Sequence, residues 1–397
     1  MFDFDSVNVR RGTGCVKWDG DRDGVIPMWV ADMDFRTAPC ITEAVMKRAG
    51  QGIFGYTRVP DSYYEAVCGW FSRRHGWDIG KDWIIYTSGV VPALSATIKA
   101  LTQPGDKVLI QTPVYNCFFS SIRNNGCIML ENRLVTEDVS DGQGKEFSYR
   151  IDFDDFEAKV KEAAVFVLCN PHNPAGRVWT PEELRRMAEI CMRYNVPVIS
   201  DEIHCEIVTP GYTYTPMANL SPEICGNTVT FCSPSKAFNI AGLQIANIVT
   251  SRGDWRKAID KAININEICD VNPFGVEALQ AAYTNPQAAQ WLDELNTRIA
   301  GNFLYLRRLF AERLPWLPVA RLEGTYLAWC DCRSLGLTSD EIEEVLVNEF
   351  NVHVNAGSMY GEAGEGFIRI NLACPPELLT EGLRRIADGL EKLSGKN

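Results

Sequence analysis

The stretch "VFVLCNPHNPAGRVWTPEELRRMAEICMRYNVPVISDEIH" (residues 165–204) decides the fold. It opens with an apolar run, VFVLC (165–169), and closes with another, VPVIS (196–200), before SDEIH. Neither run alternates with polar residues, as expected of strands buried on both faces. Between them the spacing predicts a helix over 181–194. Thr180 can cap it, Pro181 suits its first turn, and Glu182 and Glu183 complement the positive end of its dipole. Strand, helix and strand in this order make a βαβ unit.

The alternation extends outward. WIIYT (83–87), KVLIQT (107–112), CIMLE (127–131) and TVTFC (228–232) read as strands. VPALSATIKALT (91–102) and a segment near 114–125 read as helices. The expected class is therefore α/β, with a mostly parallel central sheet covered by helices on both faces. After about residue 285 the pattern changes to a long helix (286–313), EGTYLAWCD (323–331), a helix near 338–349, VHVN (352–355), GFIRIN (366–371) and a C-terminal helix. That reads as a smaller α+β unit. The expected division is an N-terminal segment, 1–45, that packs with the small domain, a large domain, 46–285, and a small domain, 286–397.

At 397 residues, with 46% hydrophobic and 23% charged residues, the chain has the composition of a globular protein of this kind. A net charge of −12 makes it a poor partner for nucleic acid or an anionic membrane. The uncharged runs are interrupted by Asn, Gln, Gly or Pro, so no membrane span is expected. The 14 cysteines include no Cys-x-x-Cys, and MFDFDSVNVRRG lacks a signal-peptide apolar core. Free thiols in a reducing cytoplasm are expected. His75, His172, His204 and His353 are not at metal-ligand spacing, and no metal site is expected.

Ligands of open α/β sheets sit at the carboxyl ends of the strands. Gly89, Tyr115, Asn170–Gly176, Asp201 and Ser233–Lys236 all fall there. Gly89 opens a strand-to-helix turn; taken alone it reads first as a plain turn, and second as a backbone cradle for an anion beside a helix dipole. Asn173 can offer an amide to a ligand oxygen or stabilise its own turn. Asp201 follows an apolar strand, where a lone carboxylate is costly unless a cation such as a protonated pyridine meets it; a helix cap or a buried ion pair are the alternatives. Lys236 is the sole charged residue between Thr228 and Ser251. It is either a surface lysine or a desolvated amine, nucleophilic toward an aldehyde. Taken together, these groups add up to a site for pyridoxal 5′-phosphate (PLP), held by Lys236 as a Schiff base.

The chain resembles the fold-type I PLP enzymes of the aspartate aminotransferase superfamily. More narrowly, it resembles the MalY/PatB branch, with cystalysin and related cystathionine β-lyases. The resemblance runs nearly end to end. It includes GTGCVKWD (12–19), MWVADMDF (28–35), GYTRVPDSYYEAV (55–67), TSGVVPAL (87–94), TPVYNCFF (112–119), NPHNPAGRVW (170–179), SDEIH, PSKAFNIAGL (234–243), EGTYLAW (323–329) and FIRINLACP (367–375). It implies that Lys236 is the Schiff-base lysine and moves protons at Cα. Asp201 pairs with the pyridine nitrogen, Tyr115 stacks on the ring, and Asn173 donates to its phenolic oxygen. Val90, Val91 and Ser233 hold the phosphate, and Tyr56 reaches the phosphate of a neighbouring subunit, making a homodimer the active unit. Arg369 forks onto the substrate carboxylate, with Asp32 near the substrate side chain. His204 stands where many aminotransferases have Tyr, and Gln244 where they have Arg; both agree with the lyase branch. His204 is placed beside the cofactor, with packing as its alternative role.

The implied activity is a PLP-dependent C–S β-lyase acting on cystathionine or cysteine S-conjugates, releasing a thiol, pyruvate and ammonia. The alternative is a class I/II aminotransferase. A regulatory binding protein on this fold is a third reading, against which intact Lys236, Asp201 and Arg369 weigh.

Overall fold

The computed structural model describes residues 2–142, 144–265 and 271–395. Its seven-stranded sheet has the order Ile84–Thr87, Ala246–Val249, Thr228–Cys232, Val198–Asp201, Val165–Cys169, Lys107–Thr112 and Ile128–Arg133. From Thr228–Cys232 onward the neighbours pair in parallel. Ala246–Val249 runs antiparallel to both its neighbours. Every residue of Val165–Cys169, Val198–Asp201 and Thr228–Cys232 is buried, as their unbroken apolar runs require.

Alternate side chains serve opposite faces of this sheet. Val108, Ile110, Val165 and Val167 pack with Leu94 and Ile98 of the helix Val90–Leu101 and with Phe118 and Ile122. Leu109, Phe166 and Leu168 pack with Leu184, Met187 and Cys191 of the helix Pro181–Arg193. That helix begins with the expected cap, reinforced into a capping box. Glu183 N donates to Thr180 Oγ1 at 3.2 Å and Thr180 N to Glu183 Oε2 at 2.9 Å.

A six-stranded sheet follows the order Asn355–Ala356, Phe367–Asn371, Leu327–Asp331, Val319–Ala320, Glu146–Arg150 and Val135–Asp138. Its last two strands come from a stretch too polar to read as strand. Glu146 is nonetheless buried, because Arg321 meets its carboxylate at 2.8 Å. The long helix Pro286–Arg313 has the expected limits. No helix of the described residues is long and apolar enough to cross a membrane. The cysteines among the described residues are free thiols.

The N-terminal region is tied to the C-terminal one by Ile26–Pro27, which pairs in parallel with Val352–His353. His353 sits between two carboxylates, with Nδ1 2.8 Å from Asp21 and Nε2 3.2 Å from Glu343, and its ring stacks on Trp29. Burial lowers its pKa, but the bond to Glu343 and the charge of Asp21 outweigh that and raise it above its ordinary value. A raised folded pKa stabilises the fold fully below the unfolded value of about 6.5, and that stability is lost as pH climbs through the folded value. His353→Gln is therefore expected to cost on the order of 1 kcal/mol at pH 5.5 and progressively less above neutrality, as read by urea unfolding across pH.

Candidate functional site

The carboxyl ends of the parallel strands enclose a cavity of about 200 Å³. Its lining includes Val90, Val91, Tyr115, Asn173, Asp201, His204 and Lys236. Segments far apart in sequence meet here because a parallel sheet sends its strand ends to one edge.

Asp201 is the last residue of its strand and is buried. Its Oδ1 accepts only the Ile203 N–H, at 3.2 Å, and it makes no ion pair among the described residues. Burial pushes its pKa up to about 7, against the Ile203 hydrogen bond and the charge of Lys236. Lys236 lies on the single turn Pro234–Ala237, half-buried, with Nζ donating to the Ala31 carbonyl at 2.6 Å. Burial, then the charge of Arg369, pushes its amine down to about 8. Lys236 thus lines the cavity with its amine bonded to a main-chain carbonyl, as the desolvated-amine reading expects.

Gly89 is extended, and the helix Val90–Leu101 has no side-chain cap. The N–H groups of Val90 and Val91 stand in its first turn, where no intrahelical acceptor exists. Gln244 and Ser235 complete this side of the cavity.

Arg369 is buried next to Asn173. Nη1 donates to Asn173 Oδ1 at 3.1 Å, Nη2 to the Trp29 carbonyl at 2.8 Å, and Nε is a buried donor without an acceptor among the described residues. Asn173 therefore turns its oxygen to Arg369, which orients its amide. The loop carrying Asn173 is fixed by Arg177. That guanidinium bonds Glu323 at 2.9 Å, Glu183 at 2.8 Å and the Tyr149 carbonyl.

His204 is buried, its Nδ1 lacks a partner among the described residues, and its ring meets Tyr326 edge-on. Burial, reinforced by Lys236 and Arg369, pushes its pKa down to about 3, so the imidazole is neutral. Tyr115 lines the cavity half-buried, and burial raises its phenol well above the ordinary range.

Three expected residues lie elsewhere. Ser233 caps the Lys236 turn: its hydroxyl donates to the Ile245 carbonyl at 2.5 Å and accepts from Ser235 N at 3.0 Å. Ser235, not Ser233, lines the cavity, because the hydroxyl of Ser233 is consumed in holding the turn. Asp32 does not line it either; its carboxylate is drawn to Arg10 at 2.6 Å. Tyr56 is 95% exposed and absent from the cavity wall of its own chain. Ala31, Cys117 and Ile245 line the cavity without having been singled out, since nothing in their residue types signals a ligand.

A family model for the class I and II aminotransferases matches residues 23–386. The chain belongs to that family. It is 40% identical over 394 residues to cystathionine beta-lyase PatB of Bacillus subtilis, covering 98% of this chain and 99% of PatB. It is 34% identical over 399 residues to protein MalY of Escherichia coli, covering 98% and 99%. The crystal structure of cystalysin from Treponema denticola, which contains a pyridoxal 5′-phosphate cofactor, superposes with a TM-score of 0.93 at 34% identity, over 99% of this chain and 100% of cystalysin. The fold class is thus that of the fold-type I PLP enzymes.

A lysine amine at about 8 is expected to react earlier than surface lysines. In ligand-free protein, reductive methylation of Lys236 followed by peptide mass spectrometry is expected to be half-maximal near pH 8. Arg369→Leu is expected to move that midpoint upward, because it removes a nearby positive charge.

Proposed function

We propose that this chain is a PLP-dependent C–S β-lyase that cleaves L-cystathionine and related cysteine S-conjugates. The observation that carries the reading is the electrostatic incompleteness of the cavity. It pairs a buried carboxylate, Asp201, that makes no ion pair among the described residues with a depressed amine, Lys236, and a pair of helix N–H groups that have no side-chain cap. A protonated pyridine, an aldehyde and a phosphate complement those three groups in turn. The likeness to PatB and cystalysin supports the same assignment.

Lys236 would hold the cofactor through its aldehyde, and Asp201 would meet the charge of its pyridine nitrogen. Tyr115, Asn173 and the neutral His204, which line the same cavity, would contact its ring. The Val90 and Val91 N–H groups, with Ser235, would receive its phosphate. Bound PLP supplies an electron sink for the charge left at Cα. Arg369 binds the substrate carboxylate, with Nε, which has no acceptor among the described residues, and a remaining Nη hydrogen as the two prongs of the fork. Lys236 Nζ takes the Cα proton, and the thiolate leaves from Cβ. With one water consumed, cystathionine yields homocysteine, pyruvate and ammonia.

The active unit is a homodimer. Ile53, Phe54 and Tyr56 are 75%, 60% and 95% exposed, beside an open groove that includes Arg58 and Tyr64. Such a cluster of exposed apolar residues fits a covered surface, and Tyr56 is read as reaching the neighbouring site. We assign 46–285 and 286–397 to a large and a small domain, with 1–45 packed on the latter, and place the enzyme in the cytoplasm.

Purified protein with PLP is expected to be yellow, and borohydride to fix the cofactor on the peptide containing Lys236. Pyruvate release from L-cystathionine without any 2-oxo acid separates the lyase from an aminotransferase; strict dependence on an oxo acid would reverse the assignment. Arg369→Ala is expected to lower kcat/KM by roughly 30-fold or more, with Arg369→Lys recovering only part and the bound-cofactor spectrum unchanged. Tyr56→Phe is expected to speed PLP dissociation while sedimentation equilibrium still shows the dimer. A fully active monomer would remove the shared-site reading.

A further inference from the structure

Residues 29–34 form no helix or strand, yet their backbone carbonyls are held by side chains along their length. Trp29 O accepts from Arg369 Nη2 at 2.8 Å and from Asn355 Nδ2 at 3.0 Å. Ala31 O accepts from Lys236 Nζ at 2.6 Å and from Tyr326 OH at 2.9 Å. Val30 O and Asp32 O both accept from Asn371 Nδ2, at 2.6 Å. The amine and the guanidinium assigned above to the chemistry are therefore anchored on one strap.

A buried ion cluster holds the strap in turn. Lys17 is 1% exposed and Asp34 2%, with Nζ 2.7 Å from Oδ2. Asp34 Oδ1 accepts from Trp18 Nε1 and from Arg10 Nη1, each at 2.8 Å. Lys17 Nζ also donates to Asp32 O at 3.3 Å, and Arg10 Nη1 to Met33 O at 3.0 Å. Arg10 and Lys17 balance Asp32 and Asp34, so the cluster carries no net charge. Shifting the strap would strip a buried carboxylate of its donors, which is costly in a way that a shift of exposed loop is not.

We propose that Lys17 and Asp34 are positioning residues of the active site: their ion pair sets the strap 29–34, and through the Ala31 and Trp29 carbonyls the strap sets Lys236 and Arg369. The inference rests on the roles given to those two residues above. It places Asp32 in the anchoring cluster and away from substrate.

The test compares PLP-loaded wild type with Lys17→Met, Asp34→Asn and Arg10→Gln, following exchange of the Cα proton of L-alanine into D2O by NMR, per bound PLP. Each variant is expected to exchange roughly tenfold or more slowly, since small misplacements of a reacting group cost this much. The deuterium isotope effect on kcat/KM with Cα-deuterated cystathionine is expected to rise, because proton transfer becomes more limiting. The Lys17→Met/Asp34→Asn double variant is expected to be no slower than the slower single one, as for residues acting as a unit. Damage to folding alone lowers the PLP-bound fraction and leaves exchange per bound PLP and the isotope effect at wild-type values; that result overturns the proposal. Arg10→Gln, whose side chain reaches solvent, carries the test where a variant of the buried pair does not fold. Alanine exchange requires no C–S cleavage, so wild type that exchanges alanine but releases no pyruvate would remove the lyase reading and leave this one standing.

Discussion

The site depends on one constraint, a carboxylate that ends a buried parallel strand with no cation in contact among the described residues. Asp201 cannot be solvated where it lies, and it makes no ion pair among the described residues. Lys236 exerts a favourable charge on it but spends its own hydrogen bond on the Ala31 carbonyl. Both groups are pushed toward neutrality, Asp201 up to about 7 and Lys236 down to about 8. Burial drives both shifts, since it penalises the charged form of either group. A cationic ring nitrogen would relieve the carboxylate, and an aldehyde would use the amine in its reactive form. The proposed chemistry thus rests on electrostatic costs that the fold imposes at one edge of one sheet.

The surroundings of that pair are fixed by other buried charges. Arg177 ties the Asn173 loop to Glu183 and Glu323, so the amide is held from both the central and the C-terminal parts of the chain. Arg369 turns the same amide by taking its oxygen. His204 contributes a neutral ring whose Nδ1 has no partner among the described residues. A buried polar atom of that kind is tolerated where a bound group supplies the missing partner.

Much of this was legible in the residues. The apolar runs around Phe166, Ile199 and Val229 became fully buried strands, because no other setting accommodates side chains apolar on both faces. Lys236 stood out as a lone charge, and Asp201 as a carboxylate after such a run. What stayed hidden has physical reasons. Ala246–Val249 is too short and too mixed to signal a strand that reverses direction. Glu146–Arg150 reads as polar until Arg321 is seen to neutralise Glu146. Two serines one residue apart cannot be ranked by type, so the letters alone do not show that Ser233 caps the turn and Ser235 lines the cavity. The strap acts through main-chain carbonyls, which every residue carries, so its partners are invisible in the letters of MWVADMDF.

The pairing of Ile26–Pro27 with Val352–His353 has a consequence for how the molecule is made. A chain leaves the ribosome N-terminus first, and contacts of long sequence separation must wait. The Lys17–Asp34 pair joins residues 17 positions apart and is available early. The strap's holders Tyr326, Asn355, Arg369 and Asn371 bond carbonyls 295 to 341 positions before them in the chain. A chain made in this order would close the strap late, when Asn371, at the end of the strand Phe367–Asn371, reaches back 341 positions to Val30.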